Sequence, residues 1–142
     1  MPLRKSDRVV FDTNVIVTLL LKEHYEFFVD LKYRYETVLY TCPELITELT
    51  RTLNYAKFRK YLNQPVKFYT KFITDFSEQV VIDKRFDRSP DPDDNYLFDL
   101  AYTVKSHYLV TGERALQNMK QVNKIQIVSL IVQMRYGLLV TE

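Results

Sequence analysis

Four carboxylates, Asp12, Glu48, Asp94 and Glu113, have the placement that metal-assisted chemistry needs. No paired histidines or cysteines accompany them: the chain holds two histidines, His24 and His107, and one cysteine, Cys42. An all-oxygen donor set selects hard cations such as Mg²⁺ or Mn²⁺ over Zn²⁺. Several carboxylates drawn to one place repel one another and take up protons unless a cation is present. Neither Asp12 nor Asp94 has a Lys or Arg beside it in its own segment to neutralise it. A cation held by such a cluster suits phosphodiester chemistry, where it activates water and stabilises the leaving oxygen.

The elements that must bring these acids together follow from the apolar pattern. Residues 9–11, Val-Val-Phe, read as a buried strand that leaves Asp12 at its carboxyl end. Residues 15–21 read as a short buried helix, and residues 23–35 as a second helix with Phe27, Phe28, Leu31 and Tyr35 on one face. A second strand spans 37–40, and Pro43 opens a helix over 44–54 that buries Leu45, Ile46, Leu49 and Leu53. A basic, aromatic turn follows over 57–61. Pro65 opens the next helix, with Val66, Tyr69, Phe72, Ile73 and Phe76 at helical spacing. A third strand is expected at 79–82, a polar loop at 83–92, a helix at 92–105 and a fourth strand at 108–110. A short helix over 115–119 and a fifth strand at 125–128 come next. Ser129 then caps a last helix over 130–136, and 138–142 is either an edge strand or disordered. Short apolar runs alternating with helical patterns give an α/β domain with a parallel sheet. Right-handed crossovers put all strand carboxyl ends on one edge, where ligands bind.

All four acids fall on that edge. On a helical wheel Asp94 lies above Leu97, Phe98 and Ala101, so it points along the buried face. An inward carboxylate is costly unless it is paired, hydrogen-bonded or metal-bound. Asp91 has the place of an N-cap, Asp93 sits to the flank, and Asp99 lies opposite the apolar face, where it is expected to meet solvent. Glu48 borders the apolar stripe of its helix. Each acid also has a plainer role available: Asp12 as a helix cap, Glu48 as an exposed helical residue, Asp94 and Glu113 as first-turn acids favoured by the helix dipole.

Composition narrows the field further. The chain has 142 residues, the size of one domain, with 46% hydrophobic and 27% charged residues. Two glycines, Gly112 and Gly137, cannot make a phosphate-binding loop. Cys42 alone excludes an internal disulfide and a multi-cysteine zinc site, and reads as a small buried hydrophobe. Net charge is only +2, but Arg51, Lys57, Arg59, Lys60, Lys67 and Lys71 concentrate in one third of the chain. They form either a solvated helical face or a phosphate-contacting surface. No apolar run approaches the about 20 residues that cross a membrane. Asp12 and Asn14 interrupt any signal-peptide core behind Arg4 and Lys5, so a cytoplasmic location is expected.

Several runs together resemble the PIN domain family. Val10-Phe11-Asp12-Thr13-Asn14-Val15-Ile16 resembles its opening strand and D-[ST]-N motif. Leu45-Ile46-Thr47-Glu48-Leu49-Thr50-Arg51 resembles its second motif, and Asp91-Pro92-Asp93-Asp94-Asn95 the D-P-D-D-N segment of one subgroup. Tyr108-Leu109-Val110-Thr111-Gly112 resembles the strand before the fourth acid. The resemblance covers about residues 8–130. It implies one PIN-like domain over 1–142 with its core at about 8–136, folded as a three-layer α/β/α sandwich. The implied sheet is five-stranded and parallel, in the order 3-2-1-4-5. The resemblance also implies an Mg²⁺- or Mn²⁺-dependent ribonuclease, often the toxin of a toxin–antitoxin pair and often a homodimer. Asp12, Glu48 and Asp94 match the first three acids, and Asn14 the polar residue that supports the first. Thr111 joins Asn14 as a supporting residue, and Arg51, Lys57, Arg59 and Lys60 are the candidate RNA contacts. The fourth motif departs from the family: Glu113 stands where an Asp is usual, Ala115 offers no acid two residues on, and Arg114 adds a positive charge.

That departure leaves a second class open, a PIN fold that binds RNA or a protein without cutting. A haloacid-dehalogenase-like phosphatase needs a second Asp where Asn14 stands. A receiver domain wants a Lys at the end of its fifth strand, where this chain has Ser129-Leu130. The aromatic face of 23–35 serves either as core or as a dimer or antitoxin surface.

Overall fold

The computed structural model describes residues 6–133 and 137–141, with side chains through position 129. Strand β1 (Arg8–Phe11) lies at the centre, flanked by β2 (Val38–Thr41) and β4 (Tyr108–Val110), both parallel to it. Val9, Val10 and Phe11 are 0% exposed. A strand covered on both faces is apolar throughout, as the Val-Val-Phe run is. Outward from β2 comes β3 (Glu78–Gln79), and outward from β4 comes β6 (Ile125–Gln133). The five parallel strands therefore take the expected order. Two antiparallel strands, β5 (Gln121–Val122) and β7 (Gly137–Thr141), pair with β6 and make the sheet a mixed one of seven strands.

Helices flank the sheet. After β1 come α1 (Thr13–Leu21) and α2 (Tyr25–Tyr33), and α2 packs on β2. After β2 come α3 (Pro43–Leu53), the single turn α4 (Ala56–Arg59) and α5 (Val66–Phe76). Helix α3 has Pro43 in its first turn, packs against α1 and α5, and buries Leu45, Leu49 and Leu53, all 0% exposed. A 3₁₀ turn, Pro92–Asp94, leads into α6 (Asn95–Thr103), which lies on β1 and β4. The short α7 (Arg114–Gln117) follows β4 and packs on β6. Among the described residues no helix is long and apolar enough to cross a membrane.

Three expectations are corrected. The third strand is two residues long, not four, because β2 ends at Thr41. The Val80 N–H to Thr41 O bond of 2.9 Å is the last rung, and Val81 beyond it is 86% exposed. The segment after Ser129 is not a helix but the continuation of β6, whose backbone from 129 to 133 pairs with β7. Positions 134–136 of that expected helix lie outside the described residues. Asp99 does not face solvent: it is 5% exposed and accepts hydrogen bonds from the backbone N–H groups of Arg85 and Phe86 at 2.9 and 2.8 Å. The polar loop folds back over what the helical wheel treats as the outer face. Phe86, stacked on Phe98 at 4.3 Å between centroids, closes it.

Candidate active site

Strand register builds the first half of the site. Phe11 pairs with Val110, so the next residues, Asp12 and Thr111, emerge side by side at the carboxyl edge. Asp12 N–H bonds Val110 O at 2.8 Å, and the Thr111 hydroxyl donates to Asp12 Oδ2 at 2.8 Å. Asp12 Oδ1 accepts from the Asn14 backbone N–H at 3.3 Å, which makes Asp12 the N-cap of α1 as well. The cap and the inner carboxylate are one residue. It is 4% exposed, and burial raises its pKa while the bonds from Thr111 and Asn14 act against that rise. The charge of Glu113 adds to the rise. Asn14 thus supports Asp12 through its main chain, and its side chain is left on the surface.

The second half comes from the loop before α6 and the turn after β4. Asp91 caps the 3₁₀ turn by accepting from Asp93 N–H at 3.0 Å, which leaves Asp94 at the inner end of that turn. Glu113 starts α7, and its N–H donates to the Thr111 hydroxyl oxygen at 3.0 Å. The carboxyl groups of Asp94 and Glu113 lie within hydrogen-bonding reach of each other. Burial pushes the Asp94 carboxyl up to about 7, helped by the Glu113 charge and hydrogen bond and then by the charges of Asp12 and Asp91. Among the described residues no Lys or Arg forms an ion pair with Asp12, Asp94 or Glu113.

Glu48, on α3, is turned aside. Its carboxylate pairs with Arg51 at 3.0 Å, one helical turn on. It remains close enough to act on Tyr96, whose hydroxyl is hydrogen-bonded to the Thr13 hydroxyl at 2.9 Å. Ionisation of Tyr96 is pushed up by burial first; the Thr13 bond opposes that rise, and the charges of Asp12, Glu48 and Asp94 add to it. Tyr96 therefore keeps its proton and offers a neutral O–H among the carboxylates. Sequence reasoning passed over it, because a tyrosine at a helix start reads as core. Its place two residues after Asp94 was the available signal.

The candidate RNA contacts do not converge on the acids in the same way. Lys57 and Lys60 lie over the neighbouring rings of Phe58 and Tyr61, at 4.9 and 5.2 Å, and Arg59 is exposed. Only Arg51 touches an acid of the set, Glu48. Cys42 is 0% exposed, and burial raises its thiol pKa to about 11, which removes it as a nucleophile.

Among the described residues no three His, Cys, Asp or Glu side chains stand in an arrangement that would grip an ion. The chemistry of the donors nevertheless fits a hard divalent cation. The set is all oxygen, partly desolvated and mutually repelling, and burial together with the neighbouring Glu113 keeps the Asp94 carboxyl protonated up to about 7.

A family model described as PIN domain matches residues 8–115. A solved structure, that of the PIN domain endonuclease Utp24, is similar with a TM-score of 0.53 at 14% identity. The match covers 94% of this chain and 90% of that one. That likeness concerns the fold. Among curated proteins, none matches the chain.

Proposed function

The chain belongs to the PIN domain family, and from that premise we propose that it is a metal-dependent endoribonuclease working as one PIN-like domain. The observation that carries this reading is the gathering of Asp12, Asp94 and Glu113 with no Lys or Arg paired to them among the described residues; burial first, and these neighbouring charges next, hold Asp94 up to about 7. Asp12, Asp94, Glu113 and Glu48 would hold Mg²⁺ or Mn²⁺, which when bound supplies positive charge against the phosphodiester and acidifies the attacking water. Thr111 fixes the orientation of Asp12 by its 2.8 Å bond and also engages the Glu113 backbone, so one hydroxyl positions two ligands. A bound ion would favour the charged form of the Asp94 carboxyl, which burial and the neighbouring Glu113 otherwise hold protonated up to about 7. Tyr96, with Thr13 beside it, keeps a protonated hydroxyl at the site.

A finer reading makes the protein the cytoplasmic toxin of a toxin–antitoxin pair, acting as a homodimer and restrained by a protein antitoxin. The D-P-D-D-N run at 91–95 supports it. Growth arrest on expression of the wild type but not of Asp94→Asn tests it. The second reading, a module that binds RNA or protein without cutting, draws on one observation: Glu48 is engaged by Arg51 rather than by the cluster. Incubation of pure protein with single-stranded RNA separates the two. The nuclease cuts in Mg²⁺, is silent in EDTA, and loses activity in Asp94→Asn. A wild type that binds RNA and never cuts it is the binding module.

A further inference from the structure

Beside the acids a groove of about 560 Å³ opens between α1 and the turn after β4. Its α1 wall is a stripe at four-residue spacing, Asn14 and Thr18 on one face of the helix and Lys22 at its C-cap just beyond. Val15 and Leu19 run alongside as an apolar strip. The Thr18 hydroxyl is spent on Asn14 O at 2.9 Å, so Thr18 presents mainly its methyl side, whereas the Asn14 amide has no side-chain partner among the described residues. Thr111 and Glu113 border the groove at its acidic end. Lys22 lies about 12 Å along the helix axis from Asn14. It is exposed, and it has no ion-pair partner among the described residues. His24, whose N–H bonds Leu19 O at 2.9 Å, closes the same end.

The groove thus joins the acid cluster to a cationic end through a neutral, half-apolar floor. We propose that it seats the sugar and base of the RNA nucleotide flanking the scissile phosphate, with Lys22 and His24 at the next phosphate. As a statement about substrate it rests on the nuclease reading. The Lys22 cation at one end favours a polyanion, and the apolar strip suits a nucleoside better than an acidic peptide, which would leave that strip uncovered.

The test is fluorescence anisotropy with a labelled single-stranded RNA decamer in EDTA, where nothing is cut. Lys22→Glu is expected to weaken binding about tenfold and to lower the salt slope by about one. Thr18→Trp, at an exposed position, fills the groove without changing charge and is expected to weaken binding by a similar factor. Lys124→Glu, at an exposed turn on the opposite sheet edge, serves as the control and stays within about twofold of wild type. Circular dichroism verifies that each variant is folded. Wild-type affinity in both groove variants overturns the proposal, as does binding of poly-glutamate at the groove in preference to RNA. A parallel Mg²⁺ cleavage assay separates the two claims. Loss of binding in the variants with a wild type that does not cut sustains the groove and removes the nuclease. Cleavage with unaltered binding does the reverse.

Discussion

The Thr111 hydroxyl sits 2.8 Å from Asp12 Oδ2, a bond between residues 99 apart in the chain. Parallel pairing of β1 with β4 makes it possible, and it ties the first acid to the turn that carries the fourth. Thr111→Val keeps the shape and removes the donor. Loss of a hydrogen bond to a carboxylate costs about 2 kcal/mol. Loss of a bond that orients a metal ligand costs about ten- to 100-fold in activity. Thr111→Ser restores both. A Val variant that cuts RNA at the wild-type rate removes Thr111 from its positioning role.

Asp94 is destabilised by its own site. Asp94→Asn removes the repulsion from Glu113, Asp12 and Asp91 and keeps the volume. Metal-free Asp94→Asn is expected to melt at or above the wild-type temperature near pH 7.5, while cleavage falls at least about 100-fold. The rise in melting temperature that Mg²⁺ gives the wild type is expected to vanish with it. Scanning calorimetry with and without Mg²⁺ reads this directly, and a large loss of stability in metal-free Asp94→Asn contradicts it.

Burial of Asp94, together with this repulsion, sets a pH dependence. The Asp94 carboxyl titrates at about 7 in the fold against an ordinary 3.8, so the folded protein binds this proton more tightly than the unfolded chain does. Its contribution to stability is complete below the ordinary value and disappears as pH rises through about 7. Asp12 is shifted in the same direction. Metal-free protein is therefore expected to lose urea resistance between pH 5 and pH 8, and Mg²⁺ to offset the loss most at pH 8. A urea midpoint that does not change over that range, without metal, rules the coupling out.

Much of this was legible in the chain because it depends on local periodicity. The expected helix over 92–105 is a 3₁₀ turn holding the half-buried Asp94 followed by α6 with Leu97, Phe98 and Ala101 buried, and the strand order follows the family likeness. The losses have a common cause in contacts from distant segments. The wheel that put Asp99 in solvent knows only α6, while the backbone of Arg85 and Phe86 arrives from a loop with no pattern of its own. The Leu-Ile-Val run after Ser129 suits a strand as well as a helix, and its partner β7 decides the matter. Tyr96 needed Thr13, 83 residues away, to be seen as polar.

Asp99 carries a structural prediction separable from catalysis. Asp99→Ala leaves the N–H groups of Arg85 and Phe86 without their acceptor in a half-buried setting, at a cost of about 2–4 kcal/mol. The loop over 83–91 is then released first. Limited trypsin digestion is expected to cut after Arg85 or Arg88 at concentrations that leave the wild type intact. Equal digestion of both proteins shows that the loop is held by the Phe86–Phe98 stack instead.

Glu113 decides how far the altered fourth motif still works. Its side chain is longer than the Asp usual in the family, yet it reaches Asp94 and acts on Asp12, so the cluster keeps three linked carboxylates despite Ala115. Glu113→Gln keeps a hydrogen bond toward Asp94 but removes a charge. Cleavage is expected to fall about ten- to 100-fold, with the Mg²⁺ concentration at half-maximal activity raised. Ala115→Asp, at an exposed position beside the site, supplies the missing acid and is expected to lower that concentration. Mg²⁺ titration of the cleavage rate in the three proteins measures both shifts. If Glu113→Gln alters neither the rate nor the Mg²⁺ requirement, Glu113 is only the start of α7, and Asp12 and Asp94 hold the ion without it.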